Sequence, residues 1–438
     1  MNMTQYTKQK LGDICRIEKG RTGIASAAPG EYPLVVTAEE RKTCSTYQFD
    51  CEAVCIPLVS SSGHGKKSLK NVHYQSGKFA LGSILCAVIP NNPQEVSARY
   101  LHQYLQFYKD TLLVPLMKGA ANVSLSMRDI ANVEVPLPDF KAQTELAELF
   151  AAMQAKQKEL NAEFEKQTEY AKLLRQNILQ EAIEGKLTAG WRKQNPVVKG
   201  NPDFDAEALF EQIQKEKEGN AFPCGRTPSR PTPSADLEVV AGATIKRARN
   251  ARLENDQPFE IPDGWKWVKI EQITIFVGNK RNQILTKELK DSGKYPAVSQ
   301  GQNLIDGYSD DEDKVITDIP LIMFGDHTRN VKFIDFPFVI NADGTKFFKS
   351  ILCSPKYLYY IILFLSKKIR NRGYARHYSL LKKEKFPLPP LAEQKEIVAK
   401  IESLLANVTE LENQIQERKK LSGKLMQVVS KNAFAPQK

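Results

Sequence analysis

The sequence predicts an α+β chain: two mixed α/β globular domains separated by two long helices that pair as an antiparallel coiled coil, a pseudo-twofold internal repeat. Three observations carry this reading. There is a gapless self-match, apolar residues recur at heptad spacing inside it, and a strand-rich stretch of similar size precedes each copy. The self-match opens at Pro136-Leu-Pro138 and Pro387-Leu-Pro389, an offset of 251 residues. Along it Gln143 meets Gln394, Glu145 meets Glu396, Glu159-Leu160 meets Glu410-Leu411, Leu174 meets Leu425 and Ala182 meets Ala433. A chain of 438 residues exceeds one compact core, and the repeat shows where to divide it.

In chain order, residues 1–138 are the first globular domain, 139–185 the central long helix, 186–258 a partly disordered linker, 259–388 the second globular domain and 389–432 the C-terminal long helix. The two domains correspond weakly: Leu11 to Gly20 resembles Ile270 to Gly278, with Tyr6 where Trp265 stands. Each then has a β-rich apolar run that ends in a polar loop. In the first domain Ala53 to His64 runs into Gly65-Lys-Lys-Ser-Leu-Lys70. In the second, Ile319 to Asn330 runs into Val331-Lys-Phe333.

The helices follow from their seams. Leu146, Met153, Leu160 and Leu174 recur at multiples of seven, and Phe150, Phe164, Ala171 and Ile178 follow four residues behind. In the second copy the seam reads Ile397, Leu404, Leu411, Leu425 and Ile401, Val408, Ile415, Val429, the a/d pattern of a coiled coil. Gln167 and Arg418 interrupt both copies at one place. Each segment runs about forty residues without proline, roughly 60 Å of helix, and cannot bury its stripe alone. Between the halves, the prolines and serines of Phe222 to Ser234 predict disorder, after a short helical pattern at Ala206 to Lys217.

A formal charge of +11 and a pI near 9.1 point to a polyanionic partner, since lysine and arginine release the counterions condensed on phosphates. Two clusters hold the side chains that reach phosphates and base edges. One is the loop pair: Ser61, His64, Lys66, Lys67 and Lys70 in the first domain, and His327, Thr328, Arg329 and Asn330 in the second. The other is Lys367, Lys368, Arg370, Arg372 and Arg376, where cations interleave with Tyr374 and Tyr378. If both domains read DNA, their divergence implies a bipartite, asymmetric double-stranded target, with the helices as a ruler. A coiled-coil scaffold with non-specific DNA-binding domains is the alternative.

Other chemistry lacks its motifs. Seven scattered cysteines with no CxxC pair fit a reducing, cytoplasmic setting, and the spacing of Cys44, Cys51, Cys55 and His64 is not that of a zinc finger, so no metal is expected. No export or membrane segment is expected. Ser60 to Ser68 imitates a phosphate loop, but Ser60 stands where glycine is needed and Lys67 where a hydroxyl is needed. Asn201-Pro-Asp-Phe204 departs from an amine methyltransferase motif at its third position, and the five histidines form neither HExxH nor a triad, so no catalytic residue is expected.

The Pro-Leu-Pro lead-in to each helix, the tail Leu173 to Thr188 running on to Trp191-Arg-Lys193, and Ile261-Pro-Asp-Gly-Trp-Lys-Trp267 resemble the specificity subunits of type I restriction-modification systems. The resemblance implies two target-recognition domains and a helix pair that docks two methyltransferase subunits, which restriction subunits join. AdoMet, ATP and Mg2+ then belong to those partners, this chain being non-catalytic by itself, and adenine N6 is methylated after base flipping in a partner's pocket.

Overall fold

The computed structural model describes residues 7–62, 65–120, 122–219, 259–278, 280–341 and 344–434. The chain divides into two units: Met1–Gln167 with Gln414–Lys438, and Thr168–Asn413. Among the described residues no helix is long and apolar enough to cross a membrane, and no His, Cys, Asp and Glu side chains are grouped to hold a metal ion. The described cysteines are free thiols; Cys224 lies outside the described residues.

The first unit carries β1 (Thr7–Lys10), β2 (Cys15–Lys19), β3 (Tyr32–Val35), β4 (Lys42–Cys44), β5 (Phe49–Asp50), β6 (Ala53–Pro57), β7 (His73–Gln75), β8 (Lys78–Leu81), β9 (Leu85–Pro90) and β10 (Glu134–Leu137). They form a β1-β10 pair, an antiparallel sheet β2-β9-β6-β7 and a sheet β4-β3-β8-β5 in which β3 and β8 run parallel. β6 and β9 are buried at every residue, which explains their unbroken apolar runs. The helix Ala98–Leu112 buries Tyr100, Leu101, Tyr104 and Leu105, the i, i+4 spacing of an amphipathic face.

The second unit carries β11 (Lys266–Lys269), β12 (Thr274–Phe276), β13 (Gln283–Ile284), β14 (Tyr295–Val298), β15 (Gly307–Ser309), β16 (Leu321–Gly325), β17 (Val331–Ile334), β18 (Val339–Asn341), β19 (Thr345–Ser350) and β20 (Lys385–Leu388). Most of the topology recurs: a β11-β20 pair, an antiparallel sheet β12-β19-β16-β17, and a sheet β13-β18-β14-β15 with β14 and β18 parallel, whose edge strand β13 differs by running parallel to β18 where β5 runs antiparallel to β8. The apolar stretch around Tyr357 to Leu365 forms the covering helix Pro355–Lys368. It starts on a Ser354 cap with proline in its first turn, as helices favour.

Both units are locked by the same side chain. Gln143, fully buried, accepts from Ser97 N–H at 2.8 Å and donates to the carbonyls of Pro138 at 2.8 Å and Glu95 at 2.9 Å. Gln394, its repeat partner, accepts from Ser354 N–H at 2.8 Å and donates to the Pro389 carbonyl at 2.9 Å. Beside them the buried hydroxyls of Tyr100 and Tyr357 donate to the carbonyls of Pro136 at 2.6 Å and Pro387 at 2.8 Å. The Pro-Leu-Pro strand, the covering helix and the start of the long helix thus meet at one polar knot inside an apolar core.

The long helices span Phe140–Ile183 and Leu391–Phe434. In the first unit Phe150 and Phe434 stack at 4.3 Å, the Ser422 hydroxyl donates to Gln157 at 3.0 Å and Lys419 pairs with Glu165 at 2.7 Å. In the second, Arg175 forks onto Glu412 at 2.8 and 3.1 Å and reaches the Thr409 hydroxyl at 2.7 Å. Of the expected seam, Phe150, Phe164, Ile178, Ile397, Ile401, Val408 and Ile415 are buried, and Leu146, Met153, Leu160 and Leu404 are half-buried. Leu174, Leu411 and Leu425 are corrections: they are 42%, 48% and 64% exposed. The buried positions fall mainly in one of the two heptad rows, as Phe150, Phe164, Ala171 and Ile178 show, while the other row is half-buried or exposed apart from Ile397.

Part of the expected linker is structured, and the short helical pattern at Ala206 to Lys217 falls within a helix. Residues 186–219 are ordered: the helix Ala206–Gly219 buries Ala206, Leu209 and Ile213 in the same core as Trp265, Val268 and Ile401. Glu393, 1% exposed, is held by Arg192 at 2.5 Å, Thr188 at 2.7 Å and the Trp265 indole N–H at 2.7 Å, so the segment also supplies partners for a buried charge. The Pro/Ser stretch lies outside the described residues.

Two predictions follow from this packing. Gln143→Ala strands the Ser97 N–H in an apolar core, so the urea midpoint should drop by the equivalent of about 1–3 kcal/mol. Burial, aided by the adjacent Arg41 guanidinium, pulls the His73 imidazole down to about 4. A base with a depressed folded pKa binds fewer protons folded than unfolded. Its stabilisation is therefore complete above about pH 6.5 and is lost as pH falls to about 4. Urea titrations across that window should show the loss, and His73→Gln should lessen it.

Candidate DNA interface

The loop after β6 is built by its own serines. The Ser60 hydroxyl donates to the Lys66 carbonyl at 2.6 Å, the Ser62 and Ser68 hydroxyls meet at 2.7 Å, and Ser61 N–H donates to the Ser68 carbonyl at 2.9 Å. The Ser61 hydroxyl accepts from Lys70 N–H at 2.9 Å, which makes it a structural part of the loop. Gly65 sits at φ +73°, and a Cβ there would lie 2.3 Å from the Ala120 carbonyl oxygen, so the turn requires glycine. The result is a hydrogen-bonded shelf with Lys66, Lys67 and Lys70 exposed; His64 lies outside the described residues.

In the second unit the loop after β16 wraps around Gln300. His327 N–H donates to the Gln300 side-chain oxygen at 3.0 Å, and the Thr328 hydroxyl and the Asn330 amide donate to its backbone carbonyl at 2.8 and 2.9 Å. Arg329, at φ +61°, donates to the carbonyls of Ile369 at 3.0 Å and Ser366 at 3.4 Å, closing the end of the helix Pro355–Lys368. Thr328, Arg329 and Asn330 therefore spend polar groups on their own fold. A tight turn and a base-reading loop use the same residue types.

His327 has a different surrounding. Its ring lies flat against Tyr374, with centroids 4.4 Å apart and planes 7° apart, and its Nδ1 stands 3.1 Å from the Tyr374 carbonyl. Behind this pair His377, fully buried, accepts from Arg372 N–H on Nε2 at 3.1 Å; the proton therefore sits on Nδ1 and is donated to the Asp326 carbonyl at 2.9 Å. Tyr378 N–H donates to Asp326 Oδ1 at 2.7 Å. These bonds bring two segments that are separate in sequence onto one surface. Lys367, Lys368, Arg370, Arg372 and Arg376 are exposed on it, and Lys368 lies 3.8 Å from Glu384.

A cleft of about 480 Å³ opens there, lined by Phe276, Lys280, Asp326, His327, Lys346 and Arg376 among others. Lys280 and Lys346 escaped the sequence reading because neither lies in a dense basic run: Lys280 has only Arg281 beside it, and Lys346 stands between Thr345 and Phe347. Tyr374, 84% exposed, lay inside the basic segment and was legible only as an aromatic between arginines. Gln300 carried no signal.

The family model for the type I restriction modification DNA specificity domain matches residues 3–170 and 262–419, and the chain belongs to that family. The type I restriction enzyme EcoDI specificity subunit of Escherichia coli is 23% identical over 265 residues, 60% of this chain and 48% of its own length. The EcoBI specificity subunit, also of Escherichia coli, is 34% identical over 124 residues, 27% of this chain and 25% of its own length. The chain spans less than half the length of either curated relative. A solved chain from work on complex assembly and conformational transition of the type I R-M system shares the fold, at a TM-score of 0.60 and 15% identity over 99% of both chains. The HsdS subunit from Thermoanaerobacter tengcongensis aligns over 98% of this chain and 96% of its own at 15% identity and a TM-score of 0.49.

Substitution should separate contact from scaffold. Lys67→Ala should weaken DNA binding about equally across sequences and reduce the slope of log affinity against log salt by about one. Arg329→Ala should instead lower thermal stability by removing the clamp on the helix end.

Proposed function

We propose that the chain is the sequence-specific DNA-binding specificity subunit of a type I restriction-modification complex and recognises a bipartite, asymmetric target. The observation that carries this is the pairing of one repeated scaffold with two unlike loop surfaces. A serine-braced lysine shelf follows β6, whereas a histidine-tyrosine platform beside a charged cleft follows β16. Lysines and arginines at the rims position the duplex through phosphates, and the loops read base edges. Two different surfaces read two different half-sites.

The two helices pair as an antiparallel coiled coil and set the separation of the half-sites. Contacts between them support this, because the residue numbers run in opposite directions: Phe150 meets Phe434, Gln157 meets Ser422 and Glu165 meets Lys419. The helix pair is the surface on which two methyltransferase subunits dock, with restriction subunits joining that assembly; Leu173, Leu174 and Leu411 are exposed in the second unit, and Leu421 and Leu425 in the first. Catalysis resides in those partners, with their AdoMet, ATP and Mg2+, and the complex works in the cytoplasm on double-stranded DNA.

Co-expression with the methyltransferase subunit of its own system, followed by mapping of methylated adenines on a random-sequence library, tests the proposal. A split motif that vanishes when this chain is omitted is expected, and exchange of residues 1–138 should change one half only. Methylation unaffected by omission would leave the chain as a scaffold.

A further inference from the structure

The cleft of the second domain contains an acid among cations, which plain phosphate binding does not call for. Asp326 is 5% exposed and lines the cleft. Its Oδ1 accepts from Tyr378 N–H at 2.7 Å, and among the described residues Oδ2 has no hydrogen-bond partner. Lys280, Lys346 and Arg376 border the same cleft. A phosphate in the cleft would gain from these cations and be repelled by the carboxylate. A base edge that presents an amine would instead satisfy the free oxygen, while the cations engage the flanking phosphates.

We propose that Asp326 is a specificity-determining residue: through Oδ2 it accepts a hydrogen bond from the exocyclic amine of a cytosine or adenine in the major groove of the half-site read by the second domain. This rests on the DNA-recognition reading above. Cytosine N4 and adenine N6 are the major-groove donors, whereas guanine O6 and thymine O4 present lone pairs that a carboxylate repels. The direct bond from Tyr378 fixes the carboxylate, and the backbone carbonyl of Asp326 is tied to His377, so the acceptor is held before DNA arrives. In the first domain Leu58 and Val59 follow β6 where Asp326 and His327 follow β16, which assigns this acceptor to one half-site alone.

The test is Asp326→Asn in the co-expressed complex, read by the same adenine mapping. Asparagine keeps its oxygen for Tyr378 N–H, so the loop holds, and places an amide donor where the carboxylate oxygen stood. One position of the second half-site should then shift from cytosine or adenine toward guanine or thymine, by about tenfold or more in relative methylation. The first half-site should be unchanged. Lys346→Ala is the control, and it should lower methylation of all sites without changing the motif. An unaltered motif for Asp326→Asn, whether methylation is normal or uniformly weak, overturns the proposal and makes Asp326 a structural cap. A wild-type complex that shows no split motif instead overturns the recognition reading itself.

Discussion

A buried glutamine at the mouth of each long helix is the constraint on which the rest depends. Gln143 and Gln394 each tie a proline carbonyl before the helix to the backbone amide of the serine that caps the covering helix. A strand-to-helix junction and a covering helix some thirty to fifty residues before it are fixed by a side chain that water cannot reach. Such a group is costly if left unpaired, so the geometry around it tolerates little variation. The two copies share this knot while their loops after β6 and β16 differ.

The charge distribution follows the same division. The buried polar groups are paired to shape the loops, as with His377 between Arg372 and Asp326. The exposed lysines and arginines face solvent on top of them. Long-range attraction to a polyanion and local selection of its sequence thus come from different atoms of the same loops.

Much of the architecture could be read in the sequence because repetition and heptad spacing leave traces in residue order. Pro136 and Pro387, Gln143 and Gln394, and the apolar rows of both helices marked the frame directly. Of the segment 186–219 only the helical pattern at Ala206 to Lys217 stood out, because the rest supplies its apolar side chains sparsely, through Trp191 and Phe204. Leu174, Leu411 and Leu425 fit a seam by spacing, yet spacing alone does not say which of two adjacent rows turns inward. The interface was legible as charge but not as geometry. Nothing in the order of residues shows that Tyr374 stacks on His327, or that Arg329 and Asn330 serve backbone carbonyls.

Phe434 closes the argument from another direction. It is 3% exposed, stacked on Phe150 and packed edge-on to Tyr104, with Tyr100, Phe107 and Tyr108 around it. The core of the first unit is therefore completed by a residue that leaves the ribosome after the whole of the second unit. Domains generally fold in order as they are synthesised, and this one must wait with an open aromatic socket. Biosynthesis acquires a checkpoint: a chain interrupted anywhere in its second half is left with an incomplete first domain, exposing apolar surface of the kind that quality control recognises.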